Sequence, residues 1–278
     1  MTIPEAIIYG IIQGIAEFLP ISSSGHLALA QNFFGTETAD NFAFNIALHL
    51  ATLISVCIVF RKDVWALIKG FFTLIKKLFT GKIKKGLDES ERLFLMLCVA
   101  TLPLIPIKLF GLDDKVELLS QYSYIIGILL MINGCMLFFS DRLSKGKMRV
   151  SDGGYLRPLG IGAVQAVFGI LPGISRSGST ITGGRIFGYS REEAVRFSFL
   201  MSIPAILGAC VAEIPDLLET GIAADFAVPA LIGSLTAAVV GFFAIKLLQY
   251  ITKNKSFTFF AFYCIAVGIA AVIADLAI

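Results

Sequence analysis

Charge is what this chain has least of. Only 15% of its 278 residues are Asp, Glu, Lys or Arg, while 56% are hydrophobic. A soluble domain carries about a quarter charged residues, so the composition, with a mean hydropathy of +0.83, excludes an ordinary soluble fold. The net charge of +3 is too small to argue for a nucleic-acid partner. Cysteine is sparse as well: the five, at 57, 98, 135, 210 and 264, sit inside apolar stretches without CxxC or Cys/His spacing. That excludes a disulfide framework or a zinc site and leaves them as small packing residues. Lys and Arg are missing from residues 1–43, so the first apolar run lacks the basic flank of a signal peptide. Histidine occurs twice, as His26 and His49.

What is present is long apolar sequence. A membrane-spanning helix needs roughly 20 largely apolar residues, and six segments qualify: 43–60, 93–110, 122–139, 197–214, 228–250 and 257–276. Two further apolar runs are interrupted. Ala6–Ala16 ends in Glu17-Phe18-Leu19-Pro20 and a serine cluster before Leu27–Phe34 resumes. Pro158–Leu171 ends in Pro172-Gly173 and a second serine cluster before Ile181–Tyr189. Irregular backbone at membrane depth survives only where protein or a wet cavity surrounds it. Both segments, 3–34 and 157–189, are therefore expected to be re-entrant helix hairpins.

Positive charge alternates between the connections. Arg61, Lys62, Lys69, Lys76, Lys77, Lys82, Lys84, Lys85 and Arg92 follow the first span. Arg142, Lys145, Lys147, Arg149 and Arg157 follow the third, and Lys253 and Lys255 lie in the last connection. Residues 111–121 hold one lysine, and 213–227 are purely acidic. The positive-inside rule then places both termini outside. Within the long basic loop, Trp65, Ile68, Phe71, Phe72, Ile75, Leu78 and Phe79 recur at helical spacing. They predict an amphipathic helix on the cytoplasmic surface.

The two broken segments repeat each other. Gln13 and Gln165 each precede a Leu-Pro by six residues, and Ile21-Ser22-Ser23-Ser24-Gly25 aligns with Ile174-Ser175-Arg176-Ser177-Gly178. Ile107-Lys108-Leu109 likewise matches Ile245-Lys246-Leu247. One hairpin plus three spans per half makes the second half inverted. The expected fold is an all-α polytopic membrane protein, a single membrane domain over 1–278, with repeats at 1–145 and 155–278. The hairpins enter from opposite sides, so their tips should meet.

The tips carry the unusual residues. Gln13 and Glu17 share a helical face. A charge at membrane depth costs about 2.5–3.5 kcal/mol, so Glu17 requires a partner, a proton or a metal. The imidazole of His26 suits proton transfer or nucleophilic attack. Gly173, Ser175, Arg176, Ser177 and Thr180 open a following helix, whose free N–H groups, hydroxyls and guanidinium form an oxyanion cradle. Ser22 and Ser24 read as turn and cap residues. His49, in mid-span, reads as a packing or helix–helix contact. This inventory suits phosphoryl transfer.

Residues 13–26 and 171–180 resemble the two signature regions of bacterial undecaprenyl-pyrophosphate phosphatases, the bacitracin-resistance family, and the similarity covers essentially the whole chain. The resemblance implies hydrolysis of undecaprenyl pyrophosphate to undecaprenyl phosphate and inorganic phosphate, which recycles the lipid carrier for cell-wall synthesis. It implies a divalent cation, Mg²⁺ or Ca²⁺, with Glu17 as its ligand, and a site in the plasma membrane reached from the outer face. It also implies competition by bacitracin for the lipid substrate; a homodimer is left open. Gln13 and Glu17 occupy its Glu/Gln-xxx-Glu positions, Gln being an allowed variant. Ser23, His26, Ser175 and Arg176 match its functional positions. Gln13, Ser22, Ser24, Gly173, Ser175, Arg176, Ser177 and Thr180 are expected at the phosphates.

Two nucleophiles stay open: Ser23, with His26 as base and Glu17 orienting it, or His26 itself. The rival function is a transporter or flippase of a phosphorylated polyprenyl lipid, since inverted repeats also suit alternating access.

Overall fold

A computed structural model describes residues 1–34, 40–82, 86–143, 146–215 and 227–277. Lys84, Lys85, Lys145, Asp216, Glu219 and Asp225, part of the charge pattern above, lie outside the described residues. Those residues are helical, with no strand among them beyond an isolated bridge between Met148 and Tyr189.

The first broken segment forms α1 (Ile3–Ala16) and α2 (Ser23–Phe34), separated by a turn at Glu17–Ser22. Thr2 starts α1 through a capping box, its hydroxyl accepting from Glu5 N and Glu5 reaching back to Thr2 N. The second forms α9 (Leu156–Phe168) and α10 (Arg176–Ile186). Between them lie α3 (Asp40–Val59), α4 (Arg61–Phe79), α5 (Glu89–Thr101), α6 (Leu104–Leu109), α7 (Leu112–Glu117) and α8 (Ser123–Leu143). The remainder is α11 (Arg191–Ala212), α12 (Ala227–Asn254) and α13 (Thr258–Ala277).

Among the described residues, five helices are long and apolar enough to cross a membrane, counting α5 and α6 as one stretch over Glu89–Leu109. The count becomes six if α3 and α4, which meet at 93°, are taken as one broken unit. The chain is a multi-pass helical membrane protein. The segment expected as 93–110 starts earlier, at Glu89, and breaks before Leu104. Asp88 caps its start, and Pro103 cannot donate the hydrogen bond that would carry α5 into α6.

Two close helix pairs position the broken segments. α1 lies on α12 and α9 lies on α5. Glycine makes the first contact possible: a Cβ on Gly14 would stand 2.8 Å from the Ala237 carbonyl oxygen. α8 and α13 form the most extensive pair, backbone to backbone at Gly127 and Gly268. One side of the turns is closed by buried aromatic packing. Phe18 and Phe60 each meet Phe199, with ring centroids 5.7 and 5.6 Å apart.

Candidate active site

The two turns are built alike. Ser22 Oγ accepts from Gly25 N at 3.2 Å and lies 3.4 Å from Ser24 Oγ. Ser175 Oγ accepts from Gly178 N at 3.0 Å and lies 3.0 Å from Ser177 Oγ. Each serine thus satisfies a free donor at the start of the returning helix. Ser22 holds φ at 75° and Gly173 at 105°, so both turns pass through the left-handed region. The tips touch, since a Cβ on Gly25 would come within 2.8 Å of Gly173 Cα.

Asn133, buried on α8, joins them. Its Nδ2 donates to the Pro20 carbonyl at 2.9 Å, and its Oδ1 accepts from Ser175 N at 3.0 Å.

Glu17 is 6% exposed and is surrounded by donors. One oxygen, Oε1, pairs with Arg176 Nη2 from the second turn. The other accepts from Ser23 Oγ at 2.8 Å and from Gln13 Nε2 at 3.1 Å, and His49 Nε2 stands 3.8 Å from it. Three hydrogen-bond donors thus converge on this one carboxylate. Glu17, Ser23, Arg176 and His49 line a cavity of about 230 Å³. It continues between α3 and the C-terminal half of α11, past Ile206 and Cys210 to Glu213.

Chemically, the arrangement can bind an anion through Arg176 and accept a proton at Glu17. Arg176 contacts Glu17 through one nitrogen, which leaves further N–H groups of the guanidinium fork for phosphate oxygens. The Ser23 hydroxyl points its proton at a carboxylate. Among the described residues no three His, Cys, Asp or Glu side chains converge. Glu17 and the buried, unpartnered Gln13 Oε1 are the oxygens beside the turns that could contribute to holding a cation.

A model of the family described as bacitracin resistance protein BacA matches residues 6–270. The chain belongs to the bacitracin resistance protein BacA family. The undecaprenyl-diphosphatase of Alkaliphilus metalliredigens is 41% identical over 271 residues, covering 96% of this chain and 97% of the relative. The enzyme of the same name from Methanobrevibacter smithii is 40% identical over 275 residues, 97% and 96% of the two chains. That of Methanosphaera stadtmanae is 38% identical over 279 residues, 98% of each.

In this BacA-family chain the structure brings together Gln13, Glu17, Ser22, Ser23, Ser24, Ser175, Arg176 and Ser177. Gly173 stands behind the tip against Gly25. Thr180 turns away, its hydroxyl bonded to the Arg176 carbonyl at 2.9 Å and paired with Ser198 Oγ at 2.6 Å. His26 also faces elsewhere. Its Nδ1 donates to the Ser22 carbonyl at 2.8 Å, and its ring stacks on Tyr263, whose hydroxyl lies 2.9 Å from Nε2. The Ser23 hydroxyl is bonded to Glu17, not to His26.

Two residues not expected in the site, His49 and Asn133, belong to it. His49 is not a packing residue: its side chain is 38% exposed, and its Nδ1 donates to the Asn45 carbonyl at 2.8 Å, which leaves Nε2 toward Glu17. Asn133 was not singled out at all. The signal for both was a polar side chain in mid-span, which marks function by default in a membrane.

Proposed function

We propose that this chain hydrolyses undecaprenyl diphosphate to undecaprenyl phosphate and inorganic phosphate, as a membrane hydrolase of cell-wall lipid recycling. The relatives carry the name of that activity, and the family's name ties it to bacitracin resistance. The observation that carries the reading here is the Glu17–Arg176 pair inside the cavity. It puts an anion-binding group and a proton acceptor on one point. A carrier would need the first but not the second, so hydrolysis is favoured over transport.

In this reading Arg176 turns its free N–H groups to the terminal phosphate, with Ser175, Ser177, Ser22 and Ser24 around it. Ser23 Oγ attacks the terminal phosphorus, its proton passing to Glu17 Oε2. The bond to the bridging oxygen breaks, and undecaprenyl phosphate leaves. Glu17 passes that proton to the departing phosphate; water then attacks the phosphoserine and gives its proton to Glu17, which returns it to Ser23 Oγ as inorganic phosphate is released. Gln13 and His49 hold Glu17 in place. His26 positions the turn through the Ser22 carbonyl, and the direct His26 route is the competing assignment. A Mg²⁺ or Ca²⁺ ion would be held by Glu17 and the diphosphate, where it would offset the charge of the departing phosphate.

The membrane arrangement proposed is six spans with two re-entrant hairpins, in inverted repeats over 1–145 and 155–278. The matching serine caps of the two turns support it, as do the matching pairs α1 on α12 and α9 on α5. The cavity runs toward the N-terminal end of α3 and the C-terminal end of α11, and neither adjoining connection contains Lys or Arg. Both termini and the site mouth are accordingly assigned to the outer face of the plasma membrane, where bacitracin would compete for the lipid diphosphate.

The deciding experiment measures phosphate release from undecaprenyl diphosphate by purified protein in detergent, with and without EDTA, for wild type and Arg176→Ala. Metal-dependent release that the variant loses is expected. Well-folded protein that binds the lipid without releasing phosphate would sink the hydrolase and promote the carrier.

A further inference from the structure

At the elbow where α3 turns through 93° into α4, a second cavity of about 350 Å³ opens against α12. Arg61 and Lys62, from the first turn of α4, line it together with Lys246 of α12. Its floor is apolar, made by Ile58, Val59 and Phe242. Ile54, one turn along α3 from Ile58, extends that apolar surface and is 56% exposed.

Neighbouring cations repel, so a cluster of them is ordinarily interleaved with acids. The acid lining this cavity, Asp63, is already engaged. Its Oδ1 accepts from Arg196 Nη2 at 2.5 Å and Nε at 3.1 Å. Among the described residues, Arg61, Lys62 and Lys246 have no acidic partner. Lys246 stands 5.9 Å from the ring centroid of Phe242 instead.

The molecule contains its own control for Lys246. In the matching triplet Ile107-Lys108-Leu109, Lys108 is neutralised by Asp113 at 2.9 Å and Asp114 at 3.4 Å. The same position in the other half carries the same cation without acids, beside two more cations and a cavity. Three unmatched positive charges over an apolar floor complement an amphiphile with a negative head.

We propose that the elbow cavity binds the phosphate head group of an anionic membrane lipid through Arg61, Lys62 and Lys246, with the lipid chain lying along Ile58 and Ile54. A polybasic patch at a membrane surface gains about fivefold in lipid affinity per basic side chain. The site stands apart from the Glu17–Arg176 cavity and does not depend on the hydrolase reading. It gives the elbow a ligand in addition to the anchoring role of α4, whose Trp65 and Phe72 are exposed alongside it.

Native mass spectrometry of the detergent-purified full chain, titrated with phosphatidylglycerol or phosphatidylcholine, tests it. Wild type is expected to retain phosphatidylglycerol in preference to phosphatidylcholine. Lys246→Gln should weaken that retention about fivefold, and Arg61→Gln/Lys246→Gln about twenty-fivefold. Lys246→Arg should bind like wild type, and unchanged melting temperatures will show that the variants are folded. Equal retention of phosphatidylcholine would overturn the proposal, as would undiminished phosphatidylglycerol binding in the double variant. Displacement by millimolar inorganic phosphate would overturn it too, by assigning the three cations to a free anion.

Discussion

Glu17 and Arg176, 159 residues apart in the chain, form a largely buried ion pair that joins the two turns. The pair has two consequences. It orders the site before any ligand arrives, and it leaves each partner uncompensated when the other is removed. Loss of one member of a buried pair costs about 3–5 kcal/mol.

Arg176→Ala is therefore expected to lower kcat by roughly 10²–10³-fold, the usual effect of deleting one charge-stabilising donor. Arg176→Lys should recover only part of it, because an ammonium lacks the planar fork. Glu17→Gln/Arg176→Ala should be more stable than additivity of the single variants predicts. Steady-state kinetics with melting curves on wild type, the three single variants and the double variant measure all three. Additive stabilities would show that the pair is not coupled.

The bond from Ser23 to Glu17 makes Ser23 the nucleophile of the proposed reaction, with His26 as the competing assignment. Rapid acid quench during turnover should trap an acid-stable phosphoenzyme that Ser23→Ala abolishes. An acid-labile adduct that survives in Ser23→Ala would transfer the role to His26.

Asn133 holds the Pro20 carbonyl and the Ser175 amide at 2.9 and 3.0 Å. Asn133→Leu leaves both buried groups unpaired, at about 1–3 kcal/mol each. Turnover should fall more steeply than stability, since a misplacement of about 1 Å can cost roughly 10²-fold in rate. A variant that is destabilised yet retains wild-type kcat would reduce Asn133 to a packing role.

Chelation separates a catalytic cation from a structural one. No cluster of three metal-ligating side chains exists among the described residues, so EDTA should abolish turnover and leave the melting temperature unchanged. A melting temperature that drops with EDTA would place a structural ion elsewhere in the fold.

Gly25 faces Gly173 where the tips touch, with room for no side chain. Gly25→Ala should push the turns apart at a cost of about 1–3 kcal/mol and remove most of the activity. Full activity in the folded variant would mean that the turns can separate without harm to the site.

Much of this was legible beforehand. Leu-Pro followed by a serine cluster, twice, located both turns. The runs around them gave the helices because apolar composition over some 20 residues is a local property. Sequence analysis also paired Gln13 with Glu17, since four residues of helix set that distance. His49 stayed between packing and a helix–helix contact, because a histidine in mid-span looks the same whether it faces lipid, a neighbouring helix or a cavity. Asn133 was passed over because nothing local to α8 indicates that two turns will approach it.

The sequence by itself determined what is decided within one helix or one turn: which segments are apolar, where they break and which residues lie at the breaks. The tertiary structure decided which break meets which. Arg176 finds Glu17, Asn133 reaches both turns, and Lys108 gains acids where Lys246 meets none among the described residues. Those choices depend on how helices pack across the whole chain, and packing is set by the shapes of surfaces far apart in sequence.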